Sequence, residues 1–247
     1  MIVNPHSEGW NIISHYTHGL LAGKIAMQLR LDLRTNFWED VLTAIVEHDD
    51  NLLDFSEKNY LTDAGAPLDF TLDERSDDDA CKRAERVYQN SLQKSQLVAL
   101  LIGRHLEFLY HKKATEHAGF EKFFKSIKTN RKIQLKIYNW EKQTLEKTYE
   151  LMRFCDRCSL ILCQDLVPAS RRKLEINTSI KNKTYFISTM KQDLHIEPWP
   201  FESESFQIQF EVRLIKKLHF ESNEELEKEI AGTKPDLKVV NISNLPL

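Results

Sequence analysis

Apolar residues in the first two-thirds of the chain recur with the spacing of helices. Over residues 14–31 they follow one another at three- and four-residue steps, which places them on one helical face. The same spacing predicts further helices over residues 37–48, 77–92, 95–111, 120–127 and, as one long element, 131–163. Asn36 is the expected N-cap of the second helix, with Glu39 as its capping-box partner. These elements predict a mainly α fold.

Toward the C-terminus the pattern changes to the two-residue alternation of half-buried strands. It predicts strands over residues 184–188, 194–196, 206–212 and 237–242, with a helix over 224–231. We therefore expect a helical bundle with a small β-rich C-terminal appendage. The corresponding domains span residues 1–170 and 171–247, with the second packed on the first.

A long polar stretch separates the second and third predicted helices. Residues 51–79 contain Gly65, Pro67 and an acidic run over 73–79, with few apolar residues between them. We predict an excursion of the chain with room for one short helix. Connections of this length are uncommon in compact domains, and lids over binding sites are among their known uses.

Composition and charge narrow the class of protein. The chain has 247 residues, of which 41% are hydrophobic and 29% charged, so it can bury a substantial core. Its formal net charge of -3 argues against a dedicated nucleic-acid binder. No apolar run has the length of a membrane span, and the four cysteines do not form a disulfide framework. We expect a cytoplasmic protein with neither a nucleic-acid nor a membrane partner.

Four polar side chains lie on the apolar faces of the predicted helices. They are His18, the adjacent pair His48 and Asp49, and Asp156. Burying an unpaired charge is costly, whereas imidazole and carboxylate groups are common ligands of divalent metals. Taken singly, each residue is more readily explained as a hydrogen-bonded core side chain, but together they favour a shared metal site. His15, one turn before His18, is interpreted as a helix-start residue.

The sequence around these residues resembles the HD-domain metal-dependent phosphohydrolases over roughly residues 10–165. His18 precedes a stretch rich in small residues, as the first HD-domain histidine does. His48 and Asp49 match the doublet that closes the second helix. Asp156 matches the last aspartate, which sits in a long late helix.

The resemblance implies an HD-like helical bundle that hydrolyses a small phosphorylated metabolite or nucleotide through a metal-activated water. One or two divalent ions (Fe, Mn, Co, Ni, Zn or Mg) would be bound by His18, His48, Asp49, His105 and Asp156. His105 enters this set as the best match for a further histidine of some HD enzymes. The resemblance implies that Asp49, Asp50 and His105 take part in catalysis. Asp49 would bridge the ions if two are present, and Asp50 would orient a ligand or water.

The resemblance departs from the family pattern directly after the doublet. Many catalytic HD proteins have a Gly-Lys pair there, whereas residues 50–52 of this chain are Asp-Asn-Leu. Lys24 and Arg104 are the expected substrate-binding residues instead, because each lies close in sequence to a predicted ligand. Both are also of the type that usually forms ordinary surface cations.

Two other interpretations remain open. A non-catalytic metal- or ligand-binding module, in which the β segment mediates association, is consistent with the missing Gly-Lys pair. A purely structural helical protein, whose polar core residues pair with each other, is the third interpretation. The C-terminal strands can also present an edge to a second subunit, so a homodimer is one expected arrangement.

Overall fold

The computed structural model describes residues 1–50, 54–73, 76–177, 180–190 and 193–244. Within these residues the chain forms seven α-helices: α1, His15–Ala26; α2, Trp38–Glu47; α3, Asp77–Leu92; α4, Gln96–Tyr110; α5, Ala118–Ile137; α6, Lys142–Cys163; and α7, Asn223–Gly232. Short 3-10 turns occupy Leu31–Leu33, Phe70–Leu72 and Ile180–Asn182. Among the described helices, none combines the length and the apolar character that a membrane crossing needs.

Serine side chains begin several of these helices. Ser14, Ser76 and Ser95 precede α1, α3 and α4, and each side-chain oxygen accepts a hydrogen bond from a backbone N–H of the first turn. Such caps satisfy donors that have no partner inside the helix. The local sequence therefore sets where these three helices start.

Two predicted features of the helices are wrong. The capping box expected at Asn36 is absent, because α2 follows Phe37, whose backbone is left-handed with φ of 61° and provides no side-chain cap. The single helix predicted over 131–163 is divided into α5 and α6. Asn139 has φ of 51° at the break, and the buried ring of Trp140 anchors the turn. Asparagine tolerates this conformation better than most residues.

Seven strands form one sheet within the described residues: β1, Ile2–His6; β2, Gly9–Ile13; β3, Leu174–Asn177; β4, Tyr185–Met190; β5, Asp193–Glu197; β6, Ser205–Ile215; and β7, Asp236–Ser243. Their order across the sheet is β1-β2-β6-β7-β5-β4-β3. Neighbouring strands are antiparallel, with the exception of β5 and β7. β6 joins the two ends of the chain, because it pairs with β2 on one side and with β7 on the other.

The sheet corrects the fold class expected from the sequence. A mainly helical bundle with a small β-rich C-terminal appendage is wrong, because a curled, mixed sheet forms a substantial part of the protein. The β1–β2 hairpin, formed by the first residues of the chain, was not predicted. Its partner β6 comes late in the chain. When a strand is stabilised by a neighbour so far away in the chain, the spacing of apolar residues within it is a weak predictor of the strand.

Helices and sheet contribute to the same main hydrophobic core. Ile25 on α1 and Phe154 on α6 are buried in it together with Ile208 on β6 and Ile242 on β7. α1 lies against β6, and α6 lies against β3. The division of the chain into domains at residue 170 stays a prediction.

The polar excursion predicted over 51–79 is partly described. Two parts of it, residues 51–53 and 74–75, lie outside the described residues. They include part of the acidic run and two of the three residues found where many HD proteins have Gly-Lys. Between these gaps, Tyr60 packs with Phe220 in a second, smaller core. The 3-10 turn at Phe70–Leu72 lies where room for a short helix was expected.

Candidate metal centre

The candidate site begins with a close contact between α1 and α2. A Cβ atom on Gly19 would lie 2.1 Å from the backbone oxygen of Val46, and one on Gly23 would lie 2.5 Å from the Val46 side chain. A larger residue at either position would push the two helices apart. The contact brings His18, which is next to Gly19, towards His48, which follows the last residue of α2.

Three ligand-type atoms meet between α1, α6 and the C-terminal end of α2. Nε2 of His18 and Nε2 of His48 are 3.1 Å apart. Oδ1 of Asp156 lies 3.1 Å from Nε2 of His48 and 3.3 Å from Nε2 of His18. Both histidines are buried, and the Asp156 side chain is 18% exposed. We refer to His18, His48 and Asp156 as the central triad.

Hydrogen bonds on the far side of each ring assign the histidine tautomers. Nδ1 of His48 donates to the backbone oxygen of Ile45 at 2.7 Å. The Ser159 hydroxyl donates to the backbone oxygen of Asp156 at 2.9 Å, so it accepts at its 2.9 Å contact with Nδ1 of His18. With both Nδ1 atoms protonated, each neutral ring turns an Nε2 lone pair towards the Asp156 carboxylate.

The two Nε2 lone pairs and the Asp156 oxygen repel one another at these distances, so a cation between them would stabilise the arrangement. A proton is one solution: burial lowers the pKa of His48, but the charge of Asp156 and the hydrogen bond to it raise that pKa to about 9. A divalent metal is the other solution. Ligands about 2.0–2.2 Å from such an ion are roughly 2.8–3.6 Å from one another in octahedral or tetrahedral geometry. The separations of 3.1 to 3.3 Å in the central triad lie within that range, so its donors fit a metal ion.

Asp49 and His105 extend the central triad into two overlapping groups that could hold a metal. One group is His18, His48 and Asp49, and the other is His48, His105 and Asp156; within each, the ligand atoms lie within 4.8 Å of one another. Burial and the neighbouring His48 lower the pKa of His105 to about 4, so its imidazole is neutral near pH 7. The structure therefore brings together all five residues that the sequence indicated as metal ligands.

Two further residues belong to the site and were not predicted there. Arg83, on α3, is 5% exposed, and its Nη2 donates to Oδ1 of Asp49 at 3.3 Å and to two backbone oxygens of Asp49 and Asp50. Burial raises the pKa of Asp49, but His48, His15 and Arg83 outweigh it and hold that pKa well below its usual range. His15 begins α1, as interpreted from the sequence, and its ring is buried with its centroid 6.5 Å from that of His18.

The sequence contained a signal for Arg83. Ala80, Ala84 and Val87 form the buried face of α3, and Arg83 lies directly beside Ala84. An arginine on an apolar helical face needs an anionic partner, by the same reasoning that drew attention to the buried histidines and aspartates.

A cavity of about 370 Å³ adjoins the central triad. Its walls include His48, Asp49, Arg83, His105 and Asp156. Small-molecule sites span roughly 300–1,000 Å³, so the cavity has room for a small ligand in contact with these side chains.

The other predicted site residues lie away from this cavity. Lys24 donates to a backbone oxygen of β6 at 2.7 Å. Arg104 is paired with Glu146 through Nε and Nη2, at 3.0 and 2.9 Å. Asp50 lines a separate depression, and burial and the charge of Glu47 raise the pKa of its carboxyl to about 6. Among the described residues, none of these three lines the cavity at the central triad.

Comparisons with known proteins place the chain in a family. Neither the curated proteins nor the solved structures gave a match. The model of one family matches residues 1–217, which include the central triad, Asp49, His105 and the strands β1 to β6. The chain therefore belongs to the family described as "Protein of unknown function (DUF3891)".

Proposed function

We propose that this protein is a metal-dependent phosphohydrolase that acts on a small phosphorylated metabolite or nucleotide. The observation that carries the proposal is the convergence of two histidine Nε2 atoms and an aspartate oxygen, 3.1 to 3.3 Å apart, beside a cavity of about 370 Å³. The resemblance of the sequence to HD-domain enzymes supports the same reaction class. Mixed imidazole and carboxylate donors favour one or two ions of Fe, Mn, Co, Ni or Zn over Mg.

When bound, the metal would polarise a phosphoryl oxygen and lower the pKa of a water molecule. His18, His48 and Asp156 would hold it, with Asp49 completing the set of ligands. The Ser159 hydroxyl would keep His18, and the backbone oxygen of Ile45 would keep His48, in the tautomer that binds metal through Nε2.

His105 would act from the wall of the cavity. Its Nδ1 lies 3.2 Å from the hydroxyl oxygen of Tyr149, which orients the ring. Because the imidazole is neutral near pH 7, it can either bind the metal or exchange a hydrogen bond with substrate or water.

A non-catalytic metal- or ligand-binding module is the competing proposal. The observation that favours it is the Asp-Asn-Leu sequence at 50–52, where many catalytic HD proteins have Gly-Lys. In that case the cavity would bind a ligand without turnover. The cytoplasmic location, the lack of a nucleic-acid partner and the homodimer also stay predictions from the sequence.

Metal analysis of protein purified without a metal-chelating column is the first test. We expect a stoichiometric transition metal that is lost in His48→Ala and in Asp156→Ala. His111→Ala is the matched control, because His111 also follows the end of its helix and its Nδ1 lies 3.0 Å from the backbone oxygen three residues earlier. Wild-type protein without metal would refute the proposal.

Turnover is the second test. The metal-loaded protein should hydrolyse members of a broad panel of phosphomonoesters and phosphodiesters, and a chelator should abolish the activity. Asp49→Asn should also reduce turnover. Bound metal with no turnover across the panel would favour the non-catalytic module instead.

A further inference from the structure

Arg83 is a buried cation at the edge of the proposed metal centre. Its Nη2 lies 3.3 Å from Oδ1 of Asp49, 3.2 Å from the backbone oxygen of Asp49 and 3.4 Å from that of Asp50. A guanidinium group stays protonated in proteins. Asp49 therefore has a positive charge beside one of its oxygens at any pH at which the protein is folded.

This arrangement conflicts with a second metal ion on Asp49. An ion on Oδ1 would lie about 2 Å from that oxygen and would share it with the guanidinium group, so the two cations would repel each other. Arg83 cannot easily move aside, because two of the three acceptors of its Nη2 are backbone oxygens and the Tyr110 side chain also forms a hydrogen bond with the guanidinium group. Asp49 then has one carboxylate oxygen left for a metal, which is enough for a single ion.

Arg83 also faces the space where a ligand would bind. It lines the cavity of about 370 Å³ next to the central triad, and its Nε has no hydrogen-bond partner although it is buried. Nδ1 of His15, which lines the same cavity, is buried without a partner as well. Buried polar atoms without partners are rare in proteins, and an acceptor brought by a ligand would satisfy the arginine.

The charges around the cavity favour an anionic ligand once one ion is bound. Asp49, Asp73 and Asp156 line the cavity together with Arg83 and Lys113. With three carboxylates and two cationic side chains, the charged side chains that line the cavity have a net charge of -1. One bound divalent ion changes this net charge to +1. The cavity is then suited to a compact oxyanion.

We propose that the site holds one divalent ion and that Arg83 acts as its second cation, binding the anionic phosphoryl group of the substrate. This inference rests on the proposed function and specifies the metal count and the residue that binds phosphate. Arginine suits this role because its planar fork binds phosphoryl oxygens in two places.

Metal stoichiometry and phosphate binding test the proposal together. Wild-type protein, Arg83→Gln and Arg131→Gln would be saturated with Mn²⁺ or Co²⁺, desalted, analysed for metal per chain and titrated calorimetrically with inorganic phosphate. Arg131 is a matched control: it is mostly buried, paired with Glu107, and has an unpartnered Nε, but it does not line the cavity. We expect one ion per chain and a loss of phosphate affinity of about tenfold or more in Arg83→Gln alone.

The possible outcomes separate this proposal from the proposed function. Three results would overturn this proposal. The first is two ions per wild-type chain, and the second is metal-loaded wild-type protein that binds no phosphate. The third is an Arg83→Gln variant that keeps its ion and binds phosphate with wild-type affinity. In each case the metal-dependent function would stand. Wild-type protein without metal would refute the proposed function and this proposal with it.

Arg83→Lys provides a second variant in case Arg83→Gln does not fold. Lysine keeps the positive charge beside Asp49 and much of the aliphatic stem, but it lacks the planar fork of donors. Phosphate affinity is expected to fall several-fold with one ion still bound. Unchanged affinity in Arg83→Lys would also overturn the proposal.

Discussion

Ser159→Ala tests whether the hydrogen bonds behind the histidine rings prepare the metal centre. The Ser159 hydroxyl accepts from Nδ1 of His18 and donates to the backbone oxygen of Asp156, both at 2.9 Å. Its removal leaves the N–H of a fully buried ring without an acceptor. His18 can then keep the unsatisfied donor, or move the proton to Nε2 and lose the lone pair that faces the triad.

Both consequences have a calculable size. A buried donor without a partner costs about 1–3 kcal/mol of stability. Loss of a group that orients a metal-binding histidine typically lowers metal affinity by about 10- to 100-fold, which corresponds to about 1.4–2.8 kcal/mol. Metal affinity would be measured by competition with a chromophoric chelator, and stability by urea unfolding of the chelated protein.

Ser91→Ala is the matched control for this experiment. Ser91 is buried on α3, and its hydroxyl donates to the backbone oxygen of Tyr88, three residues earlier, as Ser159 does to Asp156. We expect Ser91→Ala to bind metal with wild-type affinity. Equal metal affinity in wild type and Ser159→Ala, or an equal loss in both variants, would refute the assigned tautomers.

Three further predictions concern the same region. Gly19→Ala should lower the free energy of unfolding by more than about 2 kcal/mol, since its Cβ would lie 2.1 Å from the Val46 oxygen. In the same urea assay Gly232→Ala, whose Cβ meets nothing within 4 Å, should unfold like wild type. Asp156→Asn should weaken metal binding at least about tenfold, and a normal metal content after dialysis would contradict the assignment of Asp156 as a ligand. In chelated protein the pKa of His48 is raised from its ordinary 6.5 to about 9, so the stabilisation from its charged pair with Asp156 is fully present below pH 6.5 and is lost as the pH rises through about 9. A free energy of unfolding that does not fall over this interval would show that the pair is not charged.

The candidate site was largely accessible to sequence reasoning because its signal is local. His18, His105 and Asp156 each stand in a run of apolar residues at helical spacing, so a polar side chain there is conspicuous. The expectation of a divalent metal is confirmed to the extent that these residues form buried clusters able to hold one. Arg83 was overlooked because its partner, Asp49, lies in the turn after α2, and the pairing depends on how that turn approaches α3.

The fold was harder to predict from the sequence, because much of it depends on contacts between residues far apart in the chain. The helices α1, α3 and α4 were predicted because helical periodicity depends on residues within a few positions of one another. The β1–β2 hairpin was missed because its stability depends on β6, near the other end of the chain. Phe37 and Asn139 have left-handed backbone conformations, with φ of 61° and 51°, and the spacing of apolar residues contains no signal for them.

By itself, the sequence determined most of the helical segments, including α3 and α4, and it placed His18, His105 and Asp156 on apolar helical faces, since both results follow from short-range periodicity. The tertiary structure decided that β1 and β7 belong to one sheet and that Arg83 lies beside Asp49. It also decided that Nε2 of His18, Nε2 of His48 and Oδ1 of Asp156 lie 3.1 to 3.3 Å apart. These distances arise between residues far apart in the chain. They depend on the close packing of whole elements, such as the glycine contact of α1 with α2.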